Sequence, residues 1–160
     1  MNVLILGAAG MIGRKIAQRL AAESRIAGQS LETLTLVDVV EPGRPEGFDG
    51  EITTEAVDLS APGVAERLVG QRPDIILHLA AIVSGEAEVD FDKGYRINLD
   101  AMRALLEAIR ALPDYCPRFV FASSLAVFGP PFPARIPDDF APRPATSYGT
   151  QKLMCELLVT

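Results

Sequence analysis

The chain begins with the stretch VLILGAAGMIG at residues 3–13, which joins a short apolar run to three glycines within seven positions. The apolar run at residues 3–6 has the length and composition of a buried parallel strand. Over residues 11–23, apolar side chains recur at the spacing expected of a helix that is buried on one face. The stretch therefore predicts a strand, a glycine-rich turn and a helix in direct succession.

Each glycine of this turn has a physical role in that setting. Gly7 permits a tight exit from the strand, Gly10 lets a pyrophosphate approach the backbone, and Gly13 lets the helix pack closely on the strand. Free N–H groups at the start of the helix, around Met11 and Ile12, attract phosphates. The spacing GxxGxxG differs from the commoner GxGxxG, so a purely structural turn is the alternative. The flanking strand and helix favour a dinucleotide site.

Strand-like and helix-like segments alternate along the rest of the chain. Further strands are predicted at residues 34–40, 53–57, 75–79 and 119–122, and helices at residues 63–69, 93–112 and 147–160. Six of the twelve prolines fall within residues 130–144, which predicts a loop there. The alternation predicts an α/β fold with a doubly wound parallel sheet, the Rossmann fold. We expect residues 1–160 to form one dinucleotide-binding domain, followed by a substrate domain because no helix stop ends the last segment.

Composition limits the function classes. Apolar residues make up 49% of the 160-residue chain and charged residues 22%, as in a globular protein. The net charge of −6 disfavours a nucleic-acid binder, and no apolar run is long enough for a membrane span. We expect a cytoplasmic protein in which Cys116 and Cys155 are reduced. With His78 as its one histidine, the chain is expected to hold no zinc site of several His and Cys ligands.

Asp38 ends the second predicted strand, 25 positions after Gly13. An acid at this place accepts hydrogen bonds from the adenosine ribose of a dinucleotide. The 2′-phosphate of NADP would meet its carboxylate at a cost of roughly 4 kcal/mol for ~4 Å and an effective dielectric of ~20. Asp38 therefore favours NAD, and a solvated strand end is the alternative interpretation.

Tyr148 and Lys152 lie four residues apart near the start of the last predicted helix and so share one face. A free phenol titrates near ~10, and an ammonium about 4 Å away would supply most of the ~4 kcal/mol that makes it a base at neutral pH. Ser123 and Ser124 follow the fifth strand, beyond whose carboxyl end ligands sit in open parallel sheets. A solvated helix face and a serine-capped turn are the alternatives when each part is taken alone.

Taken together, these motifs resemble the extended short-chain dehydrogenase/reductase family over essentially the whole chain. The match rests on Gly7 to Gly13, Asp38, Asp58-Leu59, His78-Leu79-Ala80-Ala81, Asn98, Ser123 to Gly129 and Tyr148 to Lys152. The resemblance implies that Asp58 and Leu59 lie by the adenine, that Leu79, Ala80 and Ala81 line the cofactor cleft, and that Asn98 supports the site. It also implies catalytic roles for Ser124, Tyr148 and Lys152, the last two also touching cofactor, and makes His78 a core residue.

Departures from the family pattern narrow the choice of reaction. Leu125-Ala126 follow Ser124 where dehydratases carry acids, which disfavours dehydration. The stretches at residues 36–42, 81–86 and 146–152 are most similar to the D-erythronate dehydrogenase group, which oxidises a small sugar acid. That similarity implies that Ser84 faces substrate and makes Arg143 a candidate anchor for its carboxylate, with a solvated loop charge as the alternative. The acidic residues Glu86, Glu88, Asp90 and Asp92 are expected to form a solvated loop rather than a metal site.

Three functions remain open at this point. The first is NAD-dependent oxidation of the C2 hydroxyl of a small sugar acid by the Ser124, Tyr148 and Lys152 set. The second is a nucleotide-sugar 4-epimerase with tightly bound NAD, and the third is a non-catalytic NAD-sensing module, which would not need the intact set. The resemblance further implies a homodimer for the complete protein.

Overall fold

A computed structural model describes residues 1–160, and the chain divides into two compact units. The sheet unit comprises Met1–Ala80 and Ala104–Ala122, and the helical unit comprises Ala81–Arg103 and Ser123–Thr160. In chain order the elements are β1 (Asn2–Leu6), α1 (Met11–Glu23), β2 (Arg25–Ile26), β3 (Gln29–Ser30), β4 (Thr33–Asp38), β5 (Glu51–Ala56), α2 (Val64–Gly70), β6 (Ile75–His78), α3 (Ser84–Val89), α4 (Phe91–Tyr95), a π-helical turn (Arg96–Asp100), α5 (Ala101–Ala111), β7 (Arg118–Phe121), a 3₁₀ turn (Leu125–Val127) and α6 (Ser147–Leu158).

The sheet unit contains five parallel strands in the order β5-β4-β1-β6-β7. Strand order reverses at β1, which pairs with β4 on one side and β6 on the other. The carboxyl ends of β1, β4 and β6 therefore meet at the edge where ligands bind in open α/β sheets. The predicted Rossmann fold is confirmed.

Both faces of this sheet are covered, as a doubly wound sheet requires. Alternate side chains of the central strands point to opposite faces. One face forms an apolar core with α1, built from Val3, Ile5, Leu34, Leu36, Ala17, Leu20 and Ala21. The other face forms a core with α2 and α5, built from Leu4, Leu6, Val37, Ile76, Val64, Leu68, Val69, Leu105 and Ala108. Continuous burial on both sides explains why the central strands β1 and β6 consist mainly of consecutive apolar residues.

The structure adds one element of the sheet unit that the sequence did not predict. Strands β2 and β3 form a two-stranded antiparallel hairpin. Its turn places both Ala27 and Gly28 at positive φ, 48° and 83°. Two-residue hairpin turns of this kind favour Asn-Gly or Gly-Gly, so Ala-Gly gives a weak sequence signal.

In the helical unit, the structure differs from two sequence-based expectations. The predicted helix at residues 93–112 begins earlier, with α4, and is interrupted by the π-helical turn before α5. The acidic stretch predicted as a loop is helical, because Glu86 and Glu88 lie in α3 and Asp92 in α4. Asp90 caps α4 by accepting a hydrogen bond from the Lys93 N–H at 3.0 Å. These acids are solvated, as expected, but they are not in a loop.

None of the helices combines the length and the apolar character needed to cross a membrane. His, Cys, Asp and Glu side chains form no group of three or more that could hold a metal ion. The single domain over residues 1–160, the homodimer and the cytoplasmic location stay predictions.

Candidate cofactor and proton-transfer sites

The glycine turn of the sheet unit depends on two close backbone approaches. Gly7 has a φ of +90°, and a Cβ at this position would lie 2.6 Å from the Ala80 nitrogen. A Cβ at Gly13 would lie 2.7 Å from the Cα of Ala8. Side chains at either position would displace backbone, so β1, the turn and α1 can meet in this way only with glycine.

The N-terminus of α1 is open to an anion. Gly10 is the exposed N-cap residue, no side chain caps the helix, and its first turn carries no acidic residue. The side chains of Met11 and Ile12 are 63% and 50% exposed, so they flank the turn without filling it. Backbone N–H groups and the positive helix end then fit a pyrophosphate.

Asp38 lies at the end of β4 and is hydrogen-bonded to the glycine turn. Its Oδ2 accepts from the Ala9 N–H at 2.9 Å, and its Oδ1 accepts from the Val39 N–H at 2.7 Å. An ionised carboxylate offers about four lone-pair sites, so both oxygens can accept further bonds. The carboxylate is thus held beside the turn and can accept further hydrogen bonds.

The other cofactor candidates of the sheet unit are partly buried. The Asp58 Oδ1 accepts from both the N–H and the hydroxyl of Ser60, at 2.8 and 2.6 Å. Leu59 and Ala80 pack against the α2 side of the core, and Leu79 packs against the α1 side. These contacts fix the ends of β5 and β6, where the family resemblance placed the adenine and the cleft wall.

His78 is a core residue, as the resemblance implied. Only 2% of it is exposed, and its ring lies 6.2 and 5.9 Å from the ring centres of Phe119 and Phe121. Aromatic neighbours at these distances on β7 fix the imidazole by packing.

In the helical unit, α6 presents Tyr148 and Lys152 one turn apart. Thr146 caps the helix by accepting from the Gly149 N–H at 3.0 Å. The Glu88 carboxylate accepts from the Tyr148 N–H at 2.8 Å. These two acceptors satisfy two of the free N–H groups in the first turn of α6, and the carboxylate of Glu88 is favourable beside the positive end of the helix.

Lys152 is buried beside Tyr148. Only 3% of Lys152 is exposed, and its Nζ lies 5.8 Å from the centre of the Tyr148 ring. Burial lowers the pKa of Lys152, and the charge of Cys155 partly opposes that shift. Burial also raises the pKa of Cys155 to about 11. The amine is thus held out of solvent against a phenol ring.

Ser124 caps the 3₁₀ turn that follows β7. Its Oγ accepts from the Ala126 N–H at 3.2 Å. Gly149 of α6 packs directly on this turn, because a Cβ at Gly149 would lie 2.9 Å from the carbonyl carbon of Ala126. The structure thereby brings the elements that carry Ser124 and Tyr148 into contact.

No role was predicted for Gln151, which lies between Tyr148 and Lys152 in the sequence and is fully buried. Its Oε1 accepts from the Nδ2 of Asn98 at 2.8 Å, and Asn98 also binds both backbone polar groups of Ile82. The expected supporting residue Asn98 is therefore part of a larger buried polar network. A polar residue beside the Tyr-Lys pair carries no distinctive pattern, so the sequence offered no signal for it.

The substrate candidates Ser84 and Arg143 are not hydrogen-bonded to this network. Ser84 is the exposed first residue of α3, and Ala81 precedes it, half-buried. Arg143 is exposed on the proline-rich loop, where it lines a cleft of about 400 Å³ with Phe140 and Asp139. No hydrogen bond joins Ser84 or Arg143 to the Ser-Tyr-Lys set.

A five-stranded parallel sheet whose first strand runs through a glycine turn into a helix is the architecture of dinucleotide-binding proteins. Residues 3–160 match the NAD dependent epimerase/dehydratase family, and the chain belongs to that family. The predicted family and fold are thereby confirmed, and the family's dependence on NAD agrees with the predicted cofactor.

Two similar relatives are D-erythronate dehydrogenases. The protein from Cupriavidus necator is 44% identical over 100% of this chain and 50% of its own length. The protein from Haemophilus influenzae is 41% identical over 99% of this chain and 49% of its own length. The chain thus spans about half the length of the curated relatives it matches.

A similar solved structure is described as a nucleoside-diphosphate-sugar epimerase from Agrobacterium tumefaciens. It is 59% identical to this chain and superimposes with a TM-score of 0.96. The similarity covers 99% of this chain and 47% of that one.

Proposed function

We propose that the protein is an NAD-dependent dehydrogenase that oxidises the C2 hydroxyl of a small sugar acid, of the D-erythronate type, to the 2-oxo acid. The two D-erythronate dehydrogenases that match nearly the whole chain support this substrate class. The proton transfer in this proposal is assigned to Ser124, Tyr148 and Lys152, which all lie in the helical unit. The observation that carries the proposal is the burial of Lys152 against the ring of Tyr148.

In this proposal, NAD is held by the glycine turn, by Asp38 and by residues that the family resemblance implies. The N-terminus of α1 receives the pyrophosphate, and the Asp38 carboxylate receives the ribose hydroxyls and repels a 2′-phosphate. When bound, NAD supplies the acceptor for the hydride that leaves C2. The full proposed set is Gly7, Gly10, Met11, Ile12, Gly13, Asp38, Asp58, Leu59, Leu79, Ala80, Ala81, Asn98, Tyr148 and Lys152.

The helical unit supplies the proton chemistry. The Ser124 hydroxyl donates a hydrogen bond to the substrate oxygen and orients it. The Tyr148 phenolate takes the proton of the C2 hydroxyl as the carbonyl forms, so the substrate loses one proton and one hydride. The Lys152 ammonium, whose Nζ lies 5.8 Å from the centre of the Tyr148 ring, stabilises the phenolate because its buried position has a low local dielectric.

The substrate carboxylate requires a cation. Arg143 can bind it with two parallel hydrogen bonds, which a planar guanidinium forms well with a carboxylate. Ser84 is proposed to contact the substrate hydroxyls. Both residues are exposed, as a group that meets an incoming ligand must be.

A nucleotide-sugar 4-epimerase with tightly bound NAD is the second candidate. The Agrobacterium structure, at 59% identity, is the observation that favours it. An epimerase returns the hydride to its substrate, whereas a dehydrogenase leaves reduced cofactor. Net reduction therefore separates the two functions.

The test supplies the complete protein with D-erythronate and either NAD or NADP, and follows the near-ultraviolet absorbance of reduced nicotinamide. We expect net reduction of NAD, little reduction of NADP, and a loss of about 10²–10⁴-fold in kcat for Tyr148→Phe. Tyr95→Phe is the matched control, because it removes the same hydroxyl from a tyrosine that the proposal does not use and that packs on Phe91, 4.6 Å between ring centres.

Two results would contradict the proposal. Conversion of a UDP-sugar without net reduction, and without any reaction of D-erythronate, would favour the epimerase. Full turnover by Tyr148→Phe would remove Tyr148 from the proton chemistry.

A further inference from the structure

The fully buried side chain of Gln151 takes no part in the proposed proton transfer, yet both ends of its amide are engaged. Its Oε1 accepts from Asn98 Nδ2 at 2.8 Å, and its Nε2 donates to Ser147 Oγ at 3.0 Å. A buried amide that loses one partner is left with an unsatisfied polar group, which destabilises the fold. Any movement of α6 that breaks these bonds is therefore unfavourable.

Asn98 provides a fixed point for this contact. Its amide oxygen accepts from the Ile82 N–H at 2.9 Å, and its Nδ2 also donates to the Ile82 carbonyl at 3.3 Å. It lies in the π-helical turn, a rare form that is frequent at functional sites. Asn98 is thus tied to the segment after β6 independently of α6.

A second turn of α6 attaches to the same residue. The Cys155 Sγ donates to the main-chain oxygen of Asn98 at 3.1 Å. Gln151 and Cys155 are four residues apart and share one face of the helix. Two attachments on successive turns fix both the rotation of α6 about its axis and its position along that axis.

The neighbouring helix leaves room for this arrangement. A Cβ at Gly94 of α4 would lie 2.7 Å from the Nε2 of Gln151 and 3.2 Å from the Cβ of Ala87. Glycine at position 94 therefore lets α4 approach the amide of Gln151. A larger residue would push the amide away from Asn98.

We propose that Gln151 is a positioning residue that holds Tyr148 and Lys152 in register for proton transfer. This inference rests on the proposed function. Tyr148 precedes Gln151 by three residues on α6, and Lys152 follows it directly. The hydrogen bonds that hold Gln151 and Cys155 against Asn98 therefore also fix the directions of the Tyr148 and Lys152 side chains. A misplacement of about 1 Å in a reacting group can reduce a rate roughly a hundredfold.

The experiment compares three variants of the complete protein. Gln151→Leu removes both hydrogen bonds at similar volume. Gln151→Glu can keep both, because burial favours the protonated carboxyl, which accepts from the Asn98 amide and donates to the Ser147 Oγ. Val69→Ala is the control for lost stability, because Val69 is fully buried in the sheet unit and has no part in the site.

We expect Gln151→Leu to lower kcat about 10–100-fold and Gln151→Glu to recover most of that loss. Val69→Ala should lower the free energy of unfolding and leave kcat within about threefold, since it leaves the reacting groups in place. A kcat of Gln151→Leu equal to that of the original protein, or an equal loss in Val69→Ala, would overturn the proposal.

A second readout does not depend on activity. The chain has three lysines, Lys15, Lys93 and Lys152, and Lys152 is almost fully buried. Acetylation followed by mass spectrometry should modify Lys152 at least ~10-fold faster in Gln151→Leu, relative to Lys15, because local opening exposes it. Equal protection of Lys152 in both proteins would contradict the positioning role, even if the proposed substrate proved wrong.

Discussion

The two units of the molecule bury different kinds of side chain. In the sheet unit, the buried residues are apolar apart from His78. In the helical unit, three polar or charged residues are buried, Asn98, Gln151 and Lys152. The sheet unit therefore depends on apolar packing and close backbone contact, and the helical unit depends on a buried polar network whose bonds must all be made.

Under the proposed function, this difference assigns cofactor binding and proton transfer to two different kinds of contact. Close backbone contacts at Gly7 and Gly13 fix the path of the glycine turn, which suits a backbone surface for an anion. A buried polar network carries a cost unless it is satisfied, and in the helical unit it lies on the same helix as the buried Lys152, whose charge acts strongly out of solvent. The dependence of each unit on its own kind of contact can be tested by a substitution, a change of pH or a chemical label that acts on that contact.

The largest effect is expected in the sheet unit, for Gly13→Ala. The added Cβ would lie 2.7 Å from the Cα of Ala8, so the free energy of unfolding should fall by about 1–3 kcal/mol. Gly70→Ala is the matched control, because a Cβ there meets nothing within 4 Å, and it should stabilise the protein by up to ~1 kcal/mol rather than destabilise it. Urea denaturation measures both, and equal effects would show that backbone contact at the turn is not limiting.

The sheet unit could be predicted from sequence because its signals are local. Apolar runs, the glycines and the prolines give the five parallel strands, α1 and α2 within a few residues of their observed ends. The hairpin of β2 and β3 was missed because Ala27 adopts positive φ, which alanine rarely does. Helix α3 was missed because Ala87 is its one buried residue, so it has no apolar period.

The candidate site could be predicted only in part, for a related reason. The spacing of Tyr148 and Lys152 on one helix face is visible in the sequence. The burial of Gln151 is not, because it depends on Asn98, which lies 53 residues away. Buried polar partners are set by tertiary contact and leave no periodic trace in the sequence.

An intermediate effect is expected in the helical unit, from the titration of Lys152. Its pKa is lowered by burial, so the folded state binds fewer protons than the unfolded state between the lowered value and 10.5. Stability linked to Lys152 must then rise with pH in that window, by no more than about 1.4 kcal/mol per pH unit. The free energy of unfolding of the original protein relative to Lys152→Met should therefore increase from neutral to alkaline pH.

Urea denaturation of both proteins at several pH values checks this slope. Cys155 acts in the opposite direction, because its raised pKa removes stability between 9.0 and about 11, but it is present in both proteins and largely cancels. A difference that stays flat or decreases with pH would mean that Lys152 is not held in a desolvated position.

The smallest effect is expected from an experiment that changes no residue and compares the chemical reactivity of the two thiols, Cys116 and Cys155. Cys116 is exposed in the sheet unit, whereas Cys155 is buried in the helical unit and donates to the Asn98 carbonyl. A thiolate is the reactive form, and with a pKa of about 11 Cys155 forms little of it at neutral pH. Iodoacetamide should therefore label Cys116 first, and peptide mass spectrometry should find Cys155 protected until the helical unit opens. Labelling of both thiols at one rate would mean that Cys155 is not protected within the helical unit, and the contrast between the two units would fail at the bond from Cys155 to Asn98.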